Sequence, residues 1–296
     1  MADRRASNEI ALEDRARPLR AIYQHWERHQ WSPFELDFAT DAASFAALDE
    51  ERREALLWIL AQRFHAEFNV AGLLGPFLTA APDYESALVL ATQVADEFRH
   101  VQAVVRAYEE VIGVEGGMEA IRAHAAAHMD PVASTLYAAL DDTVRPLATS
   151  PDPDTFLRAV VAYHVIGEGV VGQTTQGMLP SQLAGFGDFP GLVEAQRLAI
   201  RDEARHIAFG VTYVRRRVAE DREHAWSAFG YIIEGFQALC TQLVETAAPA
   251  LHDKFLTTYG LEPEQIFEET MRNLRLRMHS VGLQDVVVAQ GALTRT

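Results

Sequence analysis

The chain has 296 residues, 49% of them hydrophobic, which is enough to bury a substantial core. Its 26 Lys and Arg against 42 Asp and Glu give a formal charge of -16, which repels nucleic-acid phosphates and anionic membrane surfaces, so neither partner is expected. Cys240 is the sole cysteine, so no intrachain disulfide can form and a reducing, cytoplasmic setting is expected.

Residues 1–30 alternate charges and lack the apolar run of a signal peptide, which predicts a flexible N-terminal segment. No stretch of about 18 apolar residues follows, so no membrane span is expected. Beyond that point apolar residues recur at three- and four-residue intervals and alternating, strand-like segments are missing, which reads as all-α. A first long helix should begin after Ser44 or near Asp49, carry REALLWILAQRFHAEFNV, loosen towards Pro76 and end before Ala81 and Pro82. A second should run from about Tyr84 to Ile112 and close at Gly113, and the short connection makes the two antiparallel neighbours. Residues 118–148 predict two shorter connecting helices that part at Asp130-Pro131, with Asp130 capping the second. A third long helix should run from about Asp154 through AVVAYHVIGEGVVGQTTQG, with Gly167, Gly169 and Gly172 marking irregular winding or close packing. The loop from Gly185 to Gly191 leads into a fourth, about Leu192 to Val218. Two more helices near 222–250 and 263–280 precede a C-terminal tail over 283–296. No linker divides residues 31–282, so the expected architecture is one four-helix bundle with a long crossover and additional helices.

Two matching phrases carry the chemistry: Asp96-Glu97-Phe98-Arg99-His100 on the second long helix and Asp202-Glu203-Ala204-Arg205-His206 on the fourth. Residues three apart share a helix face, so each phrase aims one carboxylate and one imidazole at a common point. Apart from Gln93 the neighbours on these faces are apolar or small, among them Val101 and Val104 around the first pair and Ala199, Ile207 and Gly210 around the second. Glu67 and Glu168 lie in similarly apolar stretches of the other two long helices, with Arg63 the one competing cation near Glu67. Buried carboxylates without partners cost several kcal/mol each, and metal ions would remove that cost. Four glutamates and two histidines balance two divalent cations, and mixed oxygen and nitrogen donors suit iron or manganese better than zinc. This set matches the ligand pattern of ferritin-like dimetal carboxylate proteins. Asp96 and Asp202, each just before a glutamate ligand, are placed to orient the histidine of the opposite helix. His124 and His128, which no carboxylate joins on their Ala-rich helix, read as a surface helix, and Cys240 as a packing residue. His65 and His164 flank the site but should project off the ligand face, packing the helices or supporting the ligands from behind.

From about Trp31 to Ala219 the chain resembles the ligand-binding oxidases related to the small subunit of class I ribonucleotide reductase. In that family a valine three residues after the first glutamate ligand and a tyrosine five residues before the third become joined by an ether bond; here these are Val70 and Tyr163. The resemblance implies an O2-activating oxidase in which Val70 gives up its tertiary Cβ hydrogen and the Tyr163 phenolate captures the oxidised carbon. It implies manganese at Glu67, Glu97 and His100 and iron at Glu168, Glu203 and His206, with an iron pair as the alternative. It also implies a long-chain fatty acid ligand, for which Val70, Leu73, Val165 and Val171 are candidate channel residues, and a homodimer.

Three other readings remain. A radical-bearing ribonucleotide reductase small subunit would be expected to carry a tyrosine where Val104 stands. A ferritin-like oxygenase of a small arylamine would be expected to carry a histidine where Ala199 stands. Iron storage or metal buffering needs neither the valine nor the tyrosine.

Overall fold

A computed structural model describes residues 18–129, 131–236 and 263–284. Asp130, Cys240, residues 237–250 of the helix predicted near 222–250 and residues 285–296 of the tail lie outside the described residues.

Among the described residues every regular element is helical, as the three- and four-residue periodicity requires. In chain order these are α1 (Leu19–Arg28), α2 (Ala39–Ala47), α3 (Glu50–Thr79), α4 (Tyr84–Ala107), α5 (Gly117–Ala127), α6 (Pro131–Val144), α7 (Pro153–Val160), α8 (Gln173–Phe186), α9 (Pro190–Glu220), α10 (222–236) and α11 (Pro263–Val281). Residues Val161–Gly172 continue α7 into α8 as a π-helical segment, so the third long helix runs from Pro153 to Phe186. The bundle consists of α3, α4, the α7–α8 helix and α9, with α5 and α6 as the crossover.

Local chemistry sets the ends. The Asp49 side chain accepts from Arg52 N at 2.9 Å and starts α3, and Asp83 accepts from Ser86 N at 2.7 Å and starts α4. Gly113, with φ of +82°, closes α4 after a π-helical turn over Tyr108–Ile112. Helix α9 has no cap of its own. Its first amides, Gly191 N and Leu192 N, instead donate to the buried Asp41 of α2 at 2.9 and 2.8 Å. A side chain at Gly191 would overlap the Asp37 carbonyl and the Phe38 ring, so glycine permits this junction.

The expected flexible segment does not extend over residues 19–28. Leu19 and Ile22 are buried, and α1 packs across α4 and α9. Its strong separation of apolar and charged faces was hidden by a sequence that looks polar when read residue by residue. The irregularity expected at Gly167, Gly169 and Gly172 takes the form of the π-helical segment, which surrounds Glu168. The third long helix also passes Pro180 and reaches Phe186, beyond the stretch that periodicity outlined.

Candidate metal centre

Each long helix brings a carboxylate to the bundle axis. Glu67 comes from α3, Glu97 from α4, Glu168 from the π-helical segment and Glu203 from α9, with His100 and His206 one turn after Glu97 and Glu203. All six are buried. Their ligand atoms fall into two groups, Glu67, Glu97, His100 and Glu203, and Glu97, Glu168, Glu203 and His206, each group within 4.8 Å. Glu97 and Glu203 belong to both groups, and Glu67 and Glu168 to one each.

Both histidines point the same nitrogen inward. His100 Nδ1 lies 3.3 Å from Glu67 and 3.5 Å from Glu97, and His206 Nδ1 lies 3.1 Å from Glu97 and 3.4 Å from Glu168. Glu67 Oε2, both Glu97 oxygens, Glu168 Oε2 and the two Nδ1 atoms are buried without a hydrogen-bond partner. Orphaned donor atoms of this kind, converging from four helices, are costly unless a cation fills the space between them. The donor set therefore fits two divalent ions with oxygen and nitrogen ligands.

The electrostatics bear the mark of that crowding. Burial, reinforced by Glu203 and Glu97, pushes the Glu168 carboxyl well above its ordinary range. Burial acts the same way on Glu67, but Arg63, 2.5 Å from Oε1, and His100 outweigh it and hold the carboxyl low. The competing cation near Glu67 is thus a real partner of one oxygen and leaves the other facing His100.

Asp96 and Asp202 are fully buried. They serve the histidines crosswise: Asp96 Oδ2 lies 3.2 Å from His206 Nε2, and Asp202 Oδ2 lies 3.4 Å from His100 Nε2. Burial opposes their ionisation, yet the histidines and Arg205 hold both below the ordinary aspartate range. Trp26 Nε1 donates to Asp96 at 2.9 Å and Trp31 Nε1 to Asp202 at 2.7 Å.

Val70 and Tyr163 meet beside this cluster. Val70 packs on the main core, and Tyr163 is buried with its hydroxyl 3.3 Å from the Val70 carbonyl. Burial first, then all four glutamates, push the Tyr163 hydroxyl well above its usual range.

The structure gives further side chains, two of them already noted in the sequence, a defined place beside the cluster. Gln93 Nε2 donates to Glu168 at 2.8 Å, and its oxygen accepts from His164 Nε2 at 2.9 Å. His164 is thus tied to Glu168 through one amide, and burial keeps it well below its ordinary value, so the ring is neutral. Gln176 Nε2 lies 3.3 Å from Glu203. Gln93 stands one turn before Glu97 and Gln176 two turns after Glu168, which were usable signals; Trp26 and Trp31, in or next to a segment read as flexible, gave none. His128 has a carboxylate after all, Glu54 at 3.7 Å from α3, while His65 and His124 join neither metal group.

A cavity of about 40 Å³ opens beside His100, walled by Leu60, Val104, Leu183 and Leu192, with Arg63 and Gln196 as its polar members. None of the four channel residues expected from sequence lines it: Val165 is wholly buried, and Val70 and Leu73 pack against the core. No described helix is long and apolar enough to cross a membrane.

A sequence model of the ribonucleotide reductase small chain matches residues 16–268. Among solved structures, the fold is similar to an R2-like ligand-binding oxidase bearing a Val-to-Ile substitution, with an aerobically reconstituted Mn/Fe cofactor. The TM-score is 0.78 at 22% identity, over 90% of this chain and 95% of that one. A Tyr-to-Phe variant of such an oxidase, also aerobically reconstituted with Mn/Fe, gives a TM-score of 0.77 at 23% identity over 90% and 94% of the two chains.

Proposed function

Because this chain belongs to the ribonucleotide reductase small-chain family, we propose that it is an O2-activating dimetal oxidase of the ligand-binding kind, carrying Mn/Fe or Fe/Fe. The observation that carries this reading is the convergence of six buried carboxylate and imidazole residues, five of which present a buried atom with no hydrogen-bond partner. The Mn/Fe cofactor of the similar solved structures supports the mixed pair.

The first ion would be held by Glu67, Glu97 and His100, the second by Glu168, Glu203 and His206. Asp96 and Asp202 keep the Nε2 protons of the opposite histidines and leave each Nδ1 free to ligate. Gln93 and Gln176 each hold one oxygen of Glu168 and Glu203, and Arg63 holds one oxygen of Glu67 while the other faces His100, so all three carboxylates are fixed in orientation. Val70 and Tyr163 are the self-processing pair. The Val70 Cβ–H and Tyr163 O–H bonds break, one C–O bond forms, and O2 accepts the two electrons and two protons. The remaining two electrons that take O2 to water are what the metal pair supplies when bound, with two further protons from solvent.

The buried centre combines six carboxylates with Arg63, Arg99 and Arg205. With two divalent ions and neutral histidines one positive charge is left over, which favours an exogenous carboxylate such as that of a fatty acid. The cavity beside His100 has room for the polar end of such a ligand; a long chain would require the apolar lining to move aside.

Val104, where a radical tyrosine would be expected, lines that cavity, and this favours the oxidase over a radical-bearing subunit. The test is to load metal-free protein with Mn(II) and Fe(II) without oxygen, measure bound metal, admit air and record intact mass. Two ions per chain and the loss of two hydrogens in a peptide containing Val70 and Tyr163 are expected. Unchanged mass in fully loaded protein would remove the cross-linking oxidase reading.

A further inference from the structure

The two repeated phrases contain an arginine each, and the two arginines are not equivalent. Arg205 is buried and bridges the two aspartates, with Nη2 2.6 Å from Asp96 Oδ2 and Nη1 2.8 Å from Asp202 Oδ1. Arg99 sits further out, 3.0 Å from Asp96 Oδ1 and 3.5 Å from Asp202 Oδ2, and also donates to Gln30. Only Arg205 holds both aspartates at short range, so a continuous chain links the two histidines: His206 Nε2, Asp96, Arg205, Asp202, His100 Nε2.

We infer that Arg205 is a positioning residue that couples the two metal sites, so that filling one orients the histidine of the other. The inference rests on the dimetal reading above. Each aspartate stands on one helix and serves the histidine of the other, so neither histidine can be set independently of the opposite helix. An ion on His206 Nδ1 fixes that ring, its Nε2–H fixes Asp96, and the planar guanidinium transmits the placement to Asp202 and thence to His100. The ordering of both imidazoles is then met largely at the first ion, and the second binds a prepared site. Repulsion between two dications opposes this, but Glu97 and Glu203, shared by both ligand groups, screen it.

The experiment titrates metal-free full-length protein with Mn(II) alone under argon and follows electron paramagnetic resonance. That readout separates free, isolated bound and spin-coupled paired manganese, and it requires no turnover. At one Mn per chain, independent equal sites leave about half the protein singly loaded, whereas hundredfold coupling leaves about a tenth. The wild type should show the paired signal from the first additions with little isolated bound manganese. Arg205→Leu should bring the singly loaded species to about half. Arg205→Lys keeps the charge but cannot span both aspartates, and it should behave like the leucine variant while preserving the fold. Isolated manganese dominating at one equivalent in the wild type, or early pairing retained by Arg205→Lys, would overturn the coupling and leave the dimetal site standing. Failure of the wild type to bind manganese at all would instead remove the dimetal reading itself.

Discussion

The Tyr163 hydroxyl donates to the Val70 main-chain carbonyl across 3.3 Å, joining two helices at residues 93 positions apart. That contact keeps the phenol oxygen beside the valine before any oxidation takes place. Tyr163→Phe removes the oxygen that would accept the bond, so the variant should bind two ions and retain its mass in air. The lost hydrogen bond should cost only about 0.5–1.5 kcal/mol, because the phenyl ring still fills its place among Phe77 and His164. Intact-mass spectrometry on metal-loaded protein decides: loss of two hydrogens in the phenylalanine variant would rule out the tyrosine as acceptor.

Metal binding and folding should separate. Glu97→Ala removes a carboxylate shared by both ligand groups, and His206→Ala removes a donor from the second. Core packing across α3, α4 and α9, and not ligation, holds the bundle together, so the far-ultraviolet circular dichroism of both variants should match the wild type. Bound metal should fall from two ions per chain to one or none. Wholesale loss of helix in either variant would show that the ions are structural.

Periodicity and capping chemistry made most of the fold legible, because long helices ending at Asp49, Asp83 and Gly113 leave clear local signatures. The convergence of these glutamates and histidines was legible for the same reason: a three-residue spacing on a helix fixes a shared face. What stayed hidden depends on contacts between distant segments. Trp26 and Trp31 reach the aspartates only because α1 folds back over α4 and α9, and no local pattern marks that docking. The inward choice of Nδ1 over Nε2 is likewise set by Asp96 and Asp202 on opposite helices. The two arginines stood within the repeated phrase itself, but a single strand of sequence cannot say that Arg205 turns inward while Arg99 turns to Gln30.

The Gln93 link should govern the second site. His164, Gln93 and Glu168 form a buried chain, and a side chain at Gly210 would overlap His164 Cβ, so glycine on α9 makes room for the ring. Gly210→Ala should displace His164, destabilise the protein by about 1–3 kcal/mol and weaken the second ion. Gln93→Leu leaves the backbone in place but frees the Glu168 oxygen, so it should weaken that ion with a smaller change in Tm. Calorimetric Tm and iron affinity measured together check both. Equal iron affinity in all three proteins would show that the chain only fills space.

The start of α4 sets the rotational register of Glu97 and His100, and its cap carries a defined pH response. The Asp83 side chain accepts from Ser86 N at 2.7 Å and lies 3.1 Å from Arg216 of α9. Burial works to raise its carboxyl, but the amide and Arg216 outweigh it, so the folded value lies below the ordinary one. A depressed folded value contributes stability that is complete above the unfolded value of about 3.9 and is lost as pH falls through the folded value. Asp83→Ala should therefore cost about 1 kcal/mol at neutral pH, mostly from the cap, since the pair with Arg216 is partly exposed. Denaturant titration of metal-free protein should show the gap between wild type and Asp83→Ala narrowing as pH falls below about 4. Asp83→Asn keeps a capping oxygen without the charge, so its advantage over alanine should not change with pH. A wild-type advantage that persists undiminished at low pH would mean that the carboxylate charge is not what secures the helix start.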